Sequence, residues 1–245
     1  MKQKLDITEY RLKAPVDRPF LAAFVSDTHG EDPSVWLGES DKRNPDIFLI
    51  PGDITDRHNE SPACALELLG ELTKRAPVFM SLGNHERMSA DFVREAAEQT
   101  GAVLLEDAYT EYNGIKIGGL TSGYVGEPGR LRQGHFRKTP PPNIGFAKEF
   151  AALDGYKLLL SHHPEYYPRY LSDLDISLIL SGHAHGGQWR IFGHPFFAPD
   201  QAFFPKYAQG FHDGKMIVSR GLANNGPAPR FGNRRELIFI SFEKE

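Results

Sequence analysis

The sequence predicts an α/β fold with mixed β-sheets, and three observations carry that expectation. Short apolar runs of strand length alternate with segments of helical periodicity through roughly the first hundred residues. An Asn113-Gly114 pair between two alternating runs then marks a hairpin. Strand-like runs resume afterwards and continue into the C-terminal region, the pattern of an α/β sandwich.

Taken in order, Leu5, Ile7, Tyr10 and Leu12 alternate and predict an edge strand leading inward. FLAAFV, ending at Asp27, is the first core run. DIFLI follows Asn44-Pro45, and APVFM is the third. Segments 61–75 and 89–100 have helical spacing, with Ser61 and Ser89 as N-caps, Pro62 in a first turn and Gly101 just past a helix end. Residues 123–143 have little periodicity and close with three prolines, which predicts a long loop over one face. YKLLLS, DISLILS, KMIVSRGL and ELIFISFE then read as strands. No low-complexity linker or internal repeat divides the chain, so residues 1–245 are expected to form a single domain, with 123–143 as a substrate-facing insertion.

Composition narrows the function classes. Hydrophobic residues make up 40% of the 245 residues and charged residues 24%, enough for a substantial core. A formal net charge of −4 supplies no overall basic field for nucleic acid or an anionic membrane. The one cysteine, Cys64, excludes an internal disulfide framework and sits in CALELLGEL, where it reads as a small buried residue of an amphipathic helix. The N-terminus MKQKLDITEYRLKAP lacks the apolar core of a secretory signal, and no stretch approaches the roughly 20 apolar residues of a membrane span. A soluble, cytoplasmic protein is expected, its oligomeric state left open.

The chemistry lies where the apolar runs end. Five of them terminate in residue types that bind metals: Asp27 and His29, Asp53 with Asp56, Asn84 with His85, His162 with His163, and His183 with His185. These clusters hold six of the ten histidines. Parallel strands would gather their carboxyl ends at one rim, where α/β folds bind ligands. Each cluster alone is also what a turn or helix cap looks like. Two histidines at i and i+2 among the glycines of GHAHGG are harder to explain as structure, and the ordered set of five is not a coincidence of turns.

The order D-x-H, GDxxD, GNH, H and GHxH resembles the calcineurin-like metallophosphoesterase superfamily from about residue 21 to 190, and GHAHGGQ with VSRGL and PAPRF resembles its small bacterial-type members. The resemblance implies a four-layer α/β/β/α sandwich with two mixed sheets. It also implies two divalent or mixed-valence transition metal ions, of which N/O ligation without thiolate suits Mn, Fe or Zn. Asp27, His29 and His185 would hold one ion, Asn84, His162 and His183 the other, with Asp53 between them and His85 facing the substrate. His163 is the alternative to His162. Asp56 would orient a ligand or cap the next helix. Glu86 stands where many relatives have Asp, a minor departure expected to touch the mechanism hardly at all.

The expected activity is hydrolysis of a small-molecule phosphodiester, by in-line attack of a hydroxide between two metals roughly 3.5–4 Å apart. A phosphomonoesterase and an inactive binding scaffold of the same fold are the alternatives. Arg130, Arg132 and His135 in the basic loop, and Arg230 later, are candidate contacts for a charged group on the substrate. Phe196, Phe197, Phe203 and Phe204 read as packing over a sheet edge, or as an apolar rim.

Overall fold

A computed structural model describes residues 5–56, 63–125, 139–198, 201–223 and 230–245. In chain order the elements are β1 (Leu5–Ala14), β2 (Phe20–Phe24), α1 (Ser34–Arg43), β3 (Ile47–Ile50), α2 (Ala63–Thr73), β4 (Val78–Met80), α3 (Ala90–Thr100) and β5 (Val103–Leu104). They continue with β6 (Ala108–Tyr112), β7 (Ile115–Leu120), α4 (Ile144–Ala151), β8 (Lys157–Ser161) and β9 (Leu178–Ser181). Four two-residue strands follow, β10 (Arg190–Ile191), β11 (His194–Pro195), β12 (Phe197–Ala198) and β13 (Ala202–Phe203), then β14 (Gly210–His212), β15 (Met216–Val218) and β16 (Arg235–Lys244).

Two six-stranded mixed sheets form, in the orders β1-β16-β2-β3-β4-β5 and β14-β15-β9-β8-β7-β6. Strands β2, β3, β4 and β5 run parallel in the first, and β7, β8, β9 and β15 in the second. β1 is the expected edge strand, paired with β16 near the other chain end. Asn113 and Gly114 both take positive φ, 49° and 83°, as a two-residue hairpin between β6 and β7 requires.

The all-apolar runs are explained by strands buried on both faces. In β3, Phe48 and Ile50 face one cluster with α2 and α3, while Ile47 and Leu49 face another between the sheets. In β8, Leu158 and Leu160 join the intersheet cluster, and Leu159 meets Phe146 and Phe150 of α4 on the outside. Three apolar interfaces therefore separate four layers, α/β/β/α.

Helices α1 and α4 have no counterpart in the sequence reading. α1 buries only Trp36, Leu37 and Ser40, too few apolar positions to show a period, and α4 is eight residues long. Gly101 ends α3 in the left-handed region, as expected. Ser89 occupies the N-cap position of α3 but makes no capping bond. Its hydroxyl instead meets Thr55 Oγ1 at 2.9 Å. Ser61 and Pro62 lie outside the described residues. Cys64 lies in α2 but is half-buried, not fully.

Candidate metal centre

The parallel strands bring all five polar clusters to one rim. Asp27 and His29 follow β2, Asp53 follows β3, and Asn84 and His85 follow β4 in the first sheet. His162 follows β8, and His183 and His185 follow β9 in the second. The β2–β3 ladder continues beyond the strand ends, with His29 N–H donating to Asp53 O at 3.1 Å and Gly30 N–H to Ile54 O at 2.8 Å. Ser122 N–H donates to Leu82 O and helps join the sheets at the rim.

The backbone is strained where the side chains converge. Asp27, His29, Asp53, His183 and His185 have φ of 53°, 46°, 55°, 64° and 46°. Left-handed backbone is uncommon for residues other than glycine, and clusters of it mark sites where geometry overrides local preference.

Four overlapping donor groups result among the described residues: His29, Asp53 and His85 form one and His163, Glu165 and His183 another, beside the two that follow. Asp27 Oδ1, His29 Nε2 and His185 Nε2 form the first, with separations of 3.9 Å, 3.5 Å and 3.2 Å. Asp53, His162 and His183 form the second, each offering one ligand atom within 4.8 Å of the others. Asp53 touches both: its Oδ2 lies 3.0 Å from His162 Nε2 and 4.0 Å from His29 Nε2. Its Oδ1 accepts the His85 N–H at 2.9 Å. His85 is not part of the second set. Its Nδ1 lies 3.1 Å from His29 Nδ1 and 3.8 Å from Asp56 Oδ1, so Asp56 flanks the candidate proton donor.

Electrostatics and hydrogen bonding show that the residues fit cations. Burial pushes His29 down to about 3 and His162 to about 4, and lowers His185 well below its ordinary value. These imidazoles are neutral at pH 7, as ligation requires. Burial and the neighbouring Asp53 raise Asp27, a cost that a cation between carboxylates would offset. Among the described residues, His162 Nδ1 and Nε2 and Asn84 Oδ1 are buried without a hydrogen-bond partner. Two metal ions are the partners this donor set suits.

The sequence-adjacent histidines separate. His163 turns away from Asp53, with Nε2 2.8 Å from Ser122 Oγ and Nδ1 3.3 Å from Glu165 Oε1. Arg230 reaches the centre, buried, with Nη2 3.1 Å from His185 Nδ1 and donating to Ala223 O. Burial lowers this guanidinium to about 10, still a cation at pH 7. Arg130, Arg132 and His135 lie outside the described residues, as does most of 123–143. The phenylalanines do not simply pack: Phe196 contacts the rings of Trp189, Phe203 and Phe204, but Phe203 and Phe204 are exposed.

Sequence reasoning underrated Glu86. It is fully buried, and accepts the Asp53, Thr55 and Gly83 N–H groups at 2.9, 2.9 and 2.8 Å and the Thr55 hydroxyl at 3.1 Å. One carboxylate thus ties the Asp53 turn to the Asn84 turn, so residue 86 bears on the site after all. The signal was a carboxylate directly after GNH, at the mouth of an apolar run. Glu165, two residues beyond His163, belongs to none of the sequence motifs.

Residues 20–187 match a family model described as calcineurin-like phosphoesterase. An uncharacterized metallophosphoesterase of Campylobacter jejuni is 29% identical over 215 residues, 82% of this chain and 51% of that protein. An uncharacterized metallophosphoesterase of Aquifex aeolicus is 27% identical over 217 residues, covering 83% of this chain and 75% of its own length. The phosphodiesterase YaeI of Escherichia coli is 27% identical over 222 residues, 84% of this chain and 76% of that protein. The chain spans about half the length of the Campylobacter relative.

Proposed function

The chain belongs to the calcineurin-like phosphoesterase family, and from that premise we propose that it hydrolyses a small phosphodiester at a two-metal centre. The observation that carries the reading is a pair of neighbouring donor sets, with Asp53 in one and 4.0 Å from His29 of the other, and an Asn84 Oδ1 that is buried without a hydrogen-bond partner among the described residues. In this reading Asp27, His29 and His185 would hold one cation and Asn84, His162 and His183 the second, with Asp53 serving both. Mn, Fe or Zn all suit the donors. When bound, the pair would polarise phosphoryl oxygens and acidify water at neutral pH.

The protein's own groups do the rest. Arg230, a buried cation beside His185, favours the anionic phosphoryl group over neutral ligands. His85, with 12% of its side chain exposed, stands at the open side of Asp53 and donates a proton to the leaving oxygen or a hydrogen bond to the phosphoryl group. Asp56 places a carboxylate 3.8 Å from the Nδ1 of His85. No helix among the described residues is long and apolar enough to cross a membrane.

The diester preference is supported by the name of the Escherichia coli relative. Rates on bis-(p-nitrophenyl) phosphate and p-nitrophenyl phosphate, with added Mn²⁺ and after chelation, test it. The reading expects metal-dependent cleavage with the diester faster. A faster monoester would make the protein a phosphomonoesterase, and metal binding without turnover of either ester would make it a binding scaffold.

A further inference from the structure

His183 turns its Nε2 towards a carboxylate. Glu165 is buried, with 2% of its surface exposed, and its Oε1 lies 3.6 Å from His183 Nε2 and 3.3 Å from His163 Nδ1. The same oxygen accepts the Thr139 hydroxyl at 3.1 Å, while Oε2 has no hydrogen-bond partner among the described residues. A carboxylate in this position is costly unless the imidazoles around it present N–H groups to it.

We propose that Glu165 is a positioning residue for the metal centre: it takes the Nε2–H of His183, leaving His183 Nδ1 for the cation shared with Asp53 and His162, and it holds His163 out of the metal shell. The inference rests on the two-metal reading above. A neutral imidazole donates its lone pair from one nitrogen while the other carries the proton. A carboxylate that captures the proton at Nε2 therefore decides which nitrogen ligates, and fixes the ring. The same carboxylate explains why only one of two adjacent histidines is a ligand. Both ring nitrogens of His163 are occupied, one by Ser122 and one by Glu165. His162 on the opposite side meets Asp53.

Nitrogen-15 NMR of histidine-labelled, Zn²⁺-loaded protein reads the tautomer directly. The expected result is His183 with Nε2 protonated and Nδ1 on the metal; the reverse assignment overturns the proposal. Calorimetric Zn²⁺ titration of the parent and of Glu165→Gln supplies the second arm. The variant should bind its second equivalent about 10- to 100-fold more weakly, with the first unchanged. Ser122→Ala, which removes the Nε2 contact of His163 and the acceptor of the Tyr124 N–H but keeps Glu165, should leave both affinities intact. Equal affinities in parent and Glu165→Gln, a similar loss in Ser122→Ala, or a third Zn²⁺ held by His163, Glu165 and His183 would each overturn the proposal while leaving the two-metal reading in place. A parent that takes up fewer than two equivalents ends that reading, and this inference with it. Should Glu165→Gln fail to fold by circular dichroism, the parent's tautomer decides.

Discussion

Asp53 Oδ2 and His162 Nε2 lie 3.0 Å apart, one carried by the strand end of β3 in the first sheet and the other by β8 in the second. The contact is buried on both sides and spans the two sheets at the rim. Two donors to one cation would keep such a spacing, and these two side chains meet only when the sheets are packed.

Asp53→Asn removes the charge that both donor sets share. The variant should retain the fold, since the amide keeps the shape and Oδ1 can still accept the His85 N–H. Its metal content, read by inductively coupled plasma analysis, should fall below one equivalent, and hydrolysis of bis-(p-nitrophenyl) phosphate by about 100-fold or more. Full occupancy with parental activity would remove Asp53 from the centre.

His85→Ala makes the opposite split. The group of Asp53, His162 and His183 does not include its ring, so both equivalents should stay bound. Turnover should fall by about 10²- to 10⁴-fold, the range for a lost proton donor. The fall should be smaller on p-nitrophenyl esters than on alkyl esters, because an acidic leaving group needs less help. Equal losses on both would assign His85 to binding the phosphoryl group.

Glu86→Ala strands three buried N–H groups, of Asp53, Thr55 and Gly83. At about 1–3 kcal/mol for each unpaired group, the metal-free protein should lose at least about 3 kcal/mol of stability. The urea midpoint measures it, and a shift worth under about 1 kcal/mol would mean that water or a neighbour replaces the carboxylate.

Gly182 sits where backbone and ligand meet. A Cβ there would lie 2.0 Å from Ser26 Oγ and 2.3 Å from Asp27 Oδ2. Asp27 also accepts the His183 N–H at 3.0 Å, so the three groups have one arrangement. Gly182→Ala should therefore displace Asp27 and weaken metal uptake, measured by Zn²⁺ titration. Unchanged uptake would show that the rim relaxes around a methyl group.

Legibility followed chain locality. Runs such as DIFLI and KLLLS, the Asn113-Gly114 hairpin and the Gly101 helix end were readable because period, turn type and cap are settled within a few residues. α1 was not readable: its burial depends on Trp36 and Leu37 finding a sheet face, which leaves little periodic trace. Ser89 reads as a cap from its neighbours, yet Thr55, 34 residues away, holds its hydroxyl.

By itself the sequence determined the fold class, the family resemblance and the roster of residues that can bind metals, because strand ends and residue types are local properties. Tertiary structure alone decided which of them converge. It separated His162 from His163 by turning one towards Asp53 and the other towards Ser122 and Glu165. It also brought Glu86 under the Asp53 turn and Arg230 against His185. The Asp53–His162 contact joins residues 109 positions apart on two packed sheets, and burial of the shared apolar layer between the sheets brings them within reach.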